Sequence, residues 1–201
     1  PLVWREVGPF VWKDPSGKHT LAAVVKDGKV VQFGADDLAA IMLFQPVPFA
    51  ASSSWNLPLL FGMVGVLLAT FLLWPIQAIV RRRHDRPFPL AGRSAMLYRA
   101  VRVTALIDLL TLAGFFAIVQ STSTNLALFD DGLDIWLRLL QVLCLLGVVG
   151  AGLAVWNAAR VWADDGRSWW AKVSVSVNAA ALLAFVWFVV SLQLVTPSLN
   201  Y

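Results

Sequence analysis

"LPLLFGMVGVLLATFLLWPIQAIVRRR", residues 57–83, runs 24 residues without a charge and then meets three arginines. A bilayer hydrocarbon core about 30 Å thick needs roughly 20 apolar residues of helix at about 1.5 Å each. The stretch therefore reads as a membrane span, and the arginines mark where it leaves the hydrocarbon. Pro75 removes one backbone donor, which in a membrane bundle bends a helix when neighbours satisfy the freed carbonyl, so a single kinked span is expected. Three further stretches approach the same length: residues 103–120, which carry one acid, Asp108, and the uncharged residues 139–159 and 173–195. Composition agrees, since 59% of the 201 residues are hydrophobic and 14% charged, against about 25% charged in soluble domains.

Positive charge resists translocation, so short connections rich in Lys and Arg stay on the cytoplasmic side. Seven of the sixteen basic residues fall in residues 81–102: Arg81, Arg82, Arg83, Arg86, Arg93, Arg99 and Arg102. The connection after the third span holds Arg160, Arg167 and Lys172, whereas residues 121–134 have three acids (Asp130, Asp131, Asp134) and no base. The two basic connections, the first and the third, are thus expected in the cytoplasm, and the acidic second connection and both termini outside. Trp55 and Trp136 on the outer side, and Tyr98, Trp162, Trp169 and Trp170 on the inner, stand near the span ends, where amphipathic rings prefer to sit.

Residues 1–45 follow a different period. "TLAAVVKDGKVVQF" (20–33) sets two apolar runs around Asp27-Gly28, the dipeptide of a type I′ hairpin, with Val25 facing Val30 and Ala23 facing Gln32. "DPSG" (14–17) has the signature of a type I turn, so residues 10–13 should pair with residues 19–24, and residues 2–7 form another strand. A small antiparallel β meander is expected outside the membrane, then a linker with two prolines and three serines over residues 46–56, then a four-helix transmembrane domain over 57–201. The fold class is a mostly α membrane protein.

So small a sheet cannot bury enough apolar surface to stand alone. An exported β segment also requires an export signal, yet the chain opens "PLVWREV" without Met or a basic-then-apolar leader. Both points lead to the expectation that the sequence is the C-terminal part of a longer exported protein.

Catalytic chemistry is sparse. Ser52, Ser53 and Ser54 lie in the linker with no base in reach beyond His19, and a Ser-x-x-Lys pair is absent. "SWWAK" (168–172) reads as an interface anchor, with Trp169 and Trp170 among headgroups and Lys172 snorkelling. His19 and His84 fall on opposite sides, which disfavours a haem, and metal-ligand spacing is missing, so no cofactor is expected. Cys144 is expected to be a small packing residue. Asp108 is the one ionisable group inside a span. It is expected to be a near-interface acid neutralised by Arg102, Arg99 or Arg81–Arg83, with a proton relay or substrate contact as its functional reading. Gln77, Gln141, Asn157, Asn178 and Gln193 could bond between helices. Small residues four apart, Gly65 with Ala69 and Gly147 with Ala151, permit close helix approach within the bundle or with a second copy. Arg81, Arg82, Arg83 and Arg86 are pressed against a span end rather than spread along a face that tracks phosphates. This favours topology and anionic headgroups over nucleic acid. "PLAGRSAMLYRAVR" (89–102) is expected to lie along that surface as a short helix.

The order of "EVGPFVWKDPSGKHTLAAVVKDGKVVQF", a "PVP" linker, "LLWP" before an arginine cluster, "PLAGR", "VWNAARVW", "WWAK" and a terminal "SLNY" resembles the C-terminal membrane region of bacterial serine hydrolases of the β-lactamase and penicillin-binding-protein type (class C type). The resemblance implies an exported catalytic domain, followed by a small β domain and a helical membrane region in the inner membrane. The family's Ser-x-x-Lys and Tyr motifs have no match, as Tyr98 and Tyr201 are the only tyrosines, so no catalytic residue is transferred. The expected function is to anchor that hydrolase domain, which is then the chain's own partner, at the outer membrane face. The alternative is a transporter or membrane-complex accessory subunit that uses Asp108 and the intramembrane polar residues.

Overall fold

The computed structural model describes residues 3–36, 38, 42–88, 90–125 and 131–195. The chain divides into two compact units, Pro1–Ser52 and Ser53–Tyr201. The first holds a four-stranded antiparallel sheet in the order β1 (Arg5–Gly8), β2 (Val11–Lys13), β3 (Thr20–Lys26) and β4 (Lys29–Ala35). The second holds α1 (Ser53–Arg83), α2 (Gly92–Thr124), α3 (Asp131–Trp162) and α4 (Trp169–Ser191).

Asp27 and Gly28 adopt φ of 51° and 74°, the positive pair that a type I′ turn needs to match the strand twist. Val25 pairs with Val30 as expected, but Ala23 pairs with Phe33 and Val24 with Gln32, because a bulge between Val24 and Val25 shifts the register by one. The turn at residues 14–17 closes through a bond from the Gly17 amide to the Asp14 carbonyl at 3.0 Å, and Val11 to Lys13 pair with Ala22 to Thr20. Asp14 accepts from the His19 amide at 3.1 Å and Asp36 from the Thr20 amide at 2.7 Å, so two carboxylates fasten the start of β3 to the ends of β2 and β4. The hydropathy pattern places no β pairing after β4. Phe44 adds to it, exchanging two 2.8 Å backbone bonds with Phe33 beneath a ring stack of 5.0 Å. Among the described residues of this unit none is fully buried, and Val7, Phe10, Val24 and Phe49 are exposed. A sheet this small has no dry core of its own.

All four helices have the length and apolarity of membrane spans, and the chain is a multi-pass membrane protein on that ground. They pack in a ring, α1 against α2 and α4, α3 against α2 and α4. Leu67, Leu182, Phe185, Val189 and Cys144 lie at the centre. Packing relies on small residues: Ala105, Ala151, Ala154, Ala181 and Ala184 are buried, which lets backbones approach in the absence of a hydrophobic drive between helices. α1 is one continuous helix through Pro58 and Pro75.

Three of the helices outrun the stretches expected from hydropathy, and α4 is displaced by four residues. α1 begins at Ser53, inside the expected linker, and α4 ends at Ser191 rather than 195. The larger correction concerns residues 89–102. They do not form a separate surface helix, because α2 runs unbroken from Gly92 through Thr124. Helical backbone satisfies itself, so nothing obliges it to stop where charge appears, and Arg93, Arg99 and Arg102 ride on the first turns of a long span. Ser168, read as part of an anchor, is also the N-cap of α4, its hydroxyl accepting from the Ala171 amide at 3.4 Å.

Candidate functional site

Two features of the bundle gather polar chemistry. The first is on the inward face of α2, where Thr104, Asp108 and Thr111 follow one another at helical spacing and are all buried. The two threonines are self-sufficient. Thr104 Oγ1 donates to the Ala100 carbonyl at 3.0 Å and Thr111 Oγ1 to the Ile107 carbonyl at 2.8 Å. Asp108 has no such recourse: it is 0% exposed, and neither carboxyl oxygen has a hydrogen-bond partner among the described residues. Its Oδ1 lies where a Cβ on Gly147 of α3 would fall, and the same Cβ would stand 2.6 Å from Phe185 Cε1 of α4. Gly147 thus makes the room for the carboxyl. Gly150 does the same for Thr104.

The expectation that an arginine neutralises Asp108 is corrected. Asp108 lies sixteen residues into α2 by the numbering, about 24 Å along the axis, and six residues past Arg102, about 240° around the helix. Arg102 turns back instead, donating from Nη1 to the Tyr98 carbonyl at 3.0 Å with its guanidinium 3.3 Å from the Tyr98 ring centroid. Arg81 and Arg99 lie over the Phe88 ring at 5.1 and 5.9 Å.

The second feature is a cavity of about 640 Å³ at the end of the bundle where α1 and α3 finish and α2 and α4 begin. Arg81, Arg102, Arg160 and Arg167 all line it, with Asn157, Asn178 and the acids Asp164 and Asp165. The two arginine-rich connections therefore share one end of the bundle, as charge counting requires. What sequence alone did not pick out is that they enclose a volume. Arg82, Arg83 and Arg86 point elsewhere and are exposed.

The remaining expected residues fall at the periphery. Trp169 and Trp170 are exposed. Trp169 meets Trp162 edge-on at 5.8 Å, and Lys172 Nζ lies 5.6 Å from the centre of the Trp162 ring. Two of the five intramembrane amides bridge helices: Tyr98 Oη donates to Gln77 Oε1 at 3.0 Å, and Thr70 of α1 donates to Asn178 of α4. Gln141 pairs with Arg138 of its own helix at 3.0 Å. At the opposite end Trp187 Nε1 donates to Asn56 at 3.1 Å beside Trp55. Of the acids in the acidic connection, Asp130 lies outside the described residues, as does the "SLNY" tail.

No family model matches the sequence, and comparison with curated proteins and with solved structures returned no match.

Proposed function

We propose that the chain is the membrane-anchoring region of an exported serine hydrolase, with the four helices in a bacterial inner membrane, the arginine-bearing connections in the cytoplasm, and both termini outside. The observation that carries this reading is the pairing of a complete four-span bundle with a sheet unit that has no buried residue among those described. A sheet with Val7, Phe10 and Val24 uncovered is suited to complete itself against a neighbouring domain. The resemblance to β-lactamase-type hydrolases supplies the identity of that domain. Anchoring would hold its catalytic site at a raised local concentration near cell-wall or membrane-bound substrate.

The test is to express the native gene and label membranes with a fluorophosphonate or a fluorescent penicillin, both of which acylate active serines. A labelled band in the membrane pellet that carries this sequence, and that moves to the soluble fraction when residues 53–201 are deleted, supports the reading. A gene product in which no serine labels overturns it.

Asp108 favours a second reading, a transporter or membrane-complex accessory subunit. A carboxyl buried without a partner is costly in either protonation state, and function is one reason for a protein to keep it. In that case Asp108→Asn abolishes transport or assembly, whereas an anchor keeps its tethered activity.

A further inference from the structure

The cavity at the arginine-bearing end carries an inference that goes beyond anchoring and needs only the bundle. Its charged lining is four arginines against two aspartates, an excess of two positive charges, and one of the acids is already engaged: Asp164 Oδ2 takes Arg167 Nε at 3.1 Å. Arg160 makes no hydrogen bond or ion pair with any described residue. Arg102 is partly buried, and its Nε has no partner. Stacking on Tyr98 holds that guanidinium plane in place, and only Nη1 is spent, on the Tyr98 carbonyl. Arg102 of α2 and Arg160 of α3 line the same space. Asn157 and Ser94 add neutral polar groups, and Leu97, Val101 and Val161 give the same space an apolar side.

Arginine's planar fork matches the oxygens of a phosphate, and fixing the plane beforehand reduces the ordering cost on binding. Basic pockets between membrane helices, open at headgroup level, are suited to anionic lipids. A volume of about 640 Å³ accommodates a phosphodiester headgroup with the first methylenes of its chains. We infer that this cavity is a binding site for a phosphate group, held by Arg102 and Arg160 and presented by an anionic phospholipid. The site is distinct from diffuse attraction to Arg82, Arg83 and Arg86, which lie outside it.

The test uses the full chain purified in a mild detergent, with native mass spectrometry of adducts formed with phosphatidylglycerol or phosphatidylcholine. Phosphatidylglycerol should be retained about tenfold over phosphatidylcholine. Arg160→Gln and Arg102→Gln should each lower that retention about five- to tenfold, the scale of one lost charge-assisted bond, while Arg83→Gln changes it less than twofold. Arg160 is exposed and unbonded, so its replacement leaves the fold intact even if loss of the Tyr98 stack makes Arg102→Gln unstable. Millimolar inorganic phosphate forms the second arm. Lipid that resists it supports the phospholipid as the source. Displacement by phosphate, itself weakened by Arg160→Gln, supports the phosphate site but overturns the lipid as its occupant. Equal retention of the two lipids, or an Arg83→Gln loss as large as that of Arg160→Gln, overturns the inference.

Discussion

Asp108 of α2 occupies space that only a glycine at position 147 of α3 leaves free, and it does so with both carboxyl oxygens unpartnered. Helices α2, α3 and α4 meet there, since the Phe185 ring borders the same Cβ position. Gly147→Ala should therefore force apart a packed three-helix contact. A loss of about 1 to 3 kcal/mol is expected from overpacking of this kind. Gly65 has nothing within 4 Å of its would-be Cβ, so Gly65→Ala should stay within about 0.5 kcal/mol of the parent. Thermal unfolding of both variants in detergent checks the contrast, and equal midpoints would contradict the packing described.

Asp108→Asn keeps the size of the side chain and removes its charge. No partner among the described residues is lost, so the bundle should fold with a stability within about 1 kcal/mol of the parent. On the anchor reading, serine labelling of the membrane-bound hydrolase stays within about twofold of the parent. A folded Asp108→Asn protein that loses a membrane flux or a partner complex would instead favour the accessory-subunit reading.

The sheet should respond to acid. The Ser16 hydroxyl, followed by the His19 amide, holds the Asp14 carboxyl below its ordinary range, and the Thr20 amide does the same for Asp36. Groups whose folded pKa is depressed add stability that is present above their unfolded pKa of about 3.9 and is lost as pH falls through the lower folded value. Asp36 is exposed and Asp14 half-buried at the surface of the sheet, so the effect is local. Amide resonances of His19 and Thr20 in the full chain should move together as pH drops below about 4. Asp14→Asn should remove the His19 response and leave that of Thr20. Amides that titrate in the ordinary carboxylate range would contradict these bonds.

The spans and the hairpin were legible because each rests on a local signal. Uncharged runs of span length, and an Asp27-Gly28 dipeptide with its positive φ pair, need no knowledge of the rest of the chain. The bulge at Val24 and the added bridge at Phe44 were not legible, since pairing register depends on which residues meet across strands. The length of α2 was missed for a related reason: hydropathy reports where lipid is tolerated, and helical backbone continues past that limit. Asp108 was visible as an acid in a span, but its isolation from Arg102 depends on rotation about the helix axis and on Gly147 of a neighbour. The arginine cavity was half visible. Charge counting grouped the two connections at one end, and only the packing of all four helices shows that Arg102 and Arg160 face a common space.

Membrane crossing is the claim on which the anchor, the orientation and the phosphate site all depend. Its most direct test is side-specific labelling with a membrane-impermeant maleimide in a Cys144→Ala background, with single replacements Lys18→Cys, Arg86→Cys, Asn125→Cys and Gly166→Cys. Four spans predict that Arg86→Cys and Gly166→Cys label from the cytoplasmic side alone, and that Lys18→Cys and Asn125→Cys label from the opposite side alone. Labelling of Arg86→Cys and Gly166→Cys from different sides would contradict the four-span account.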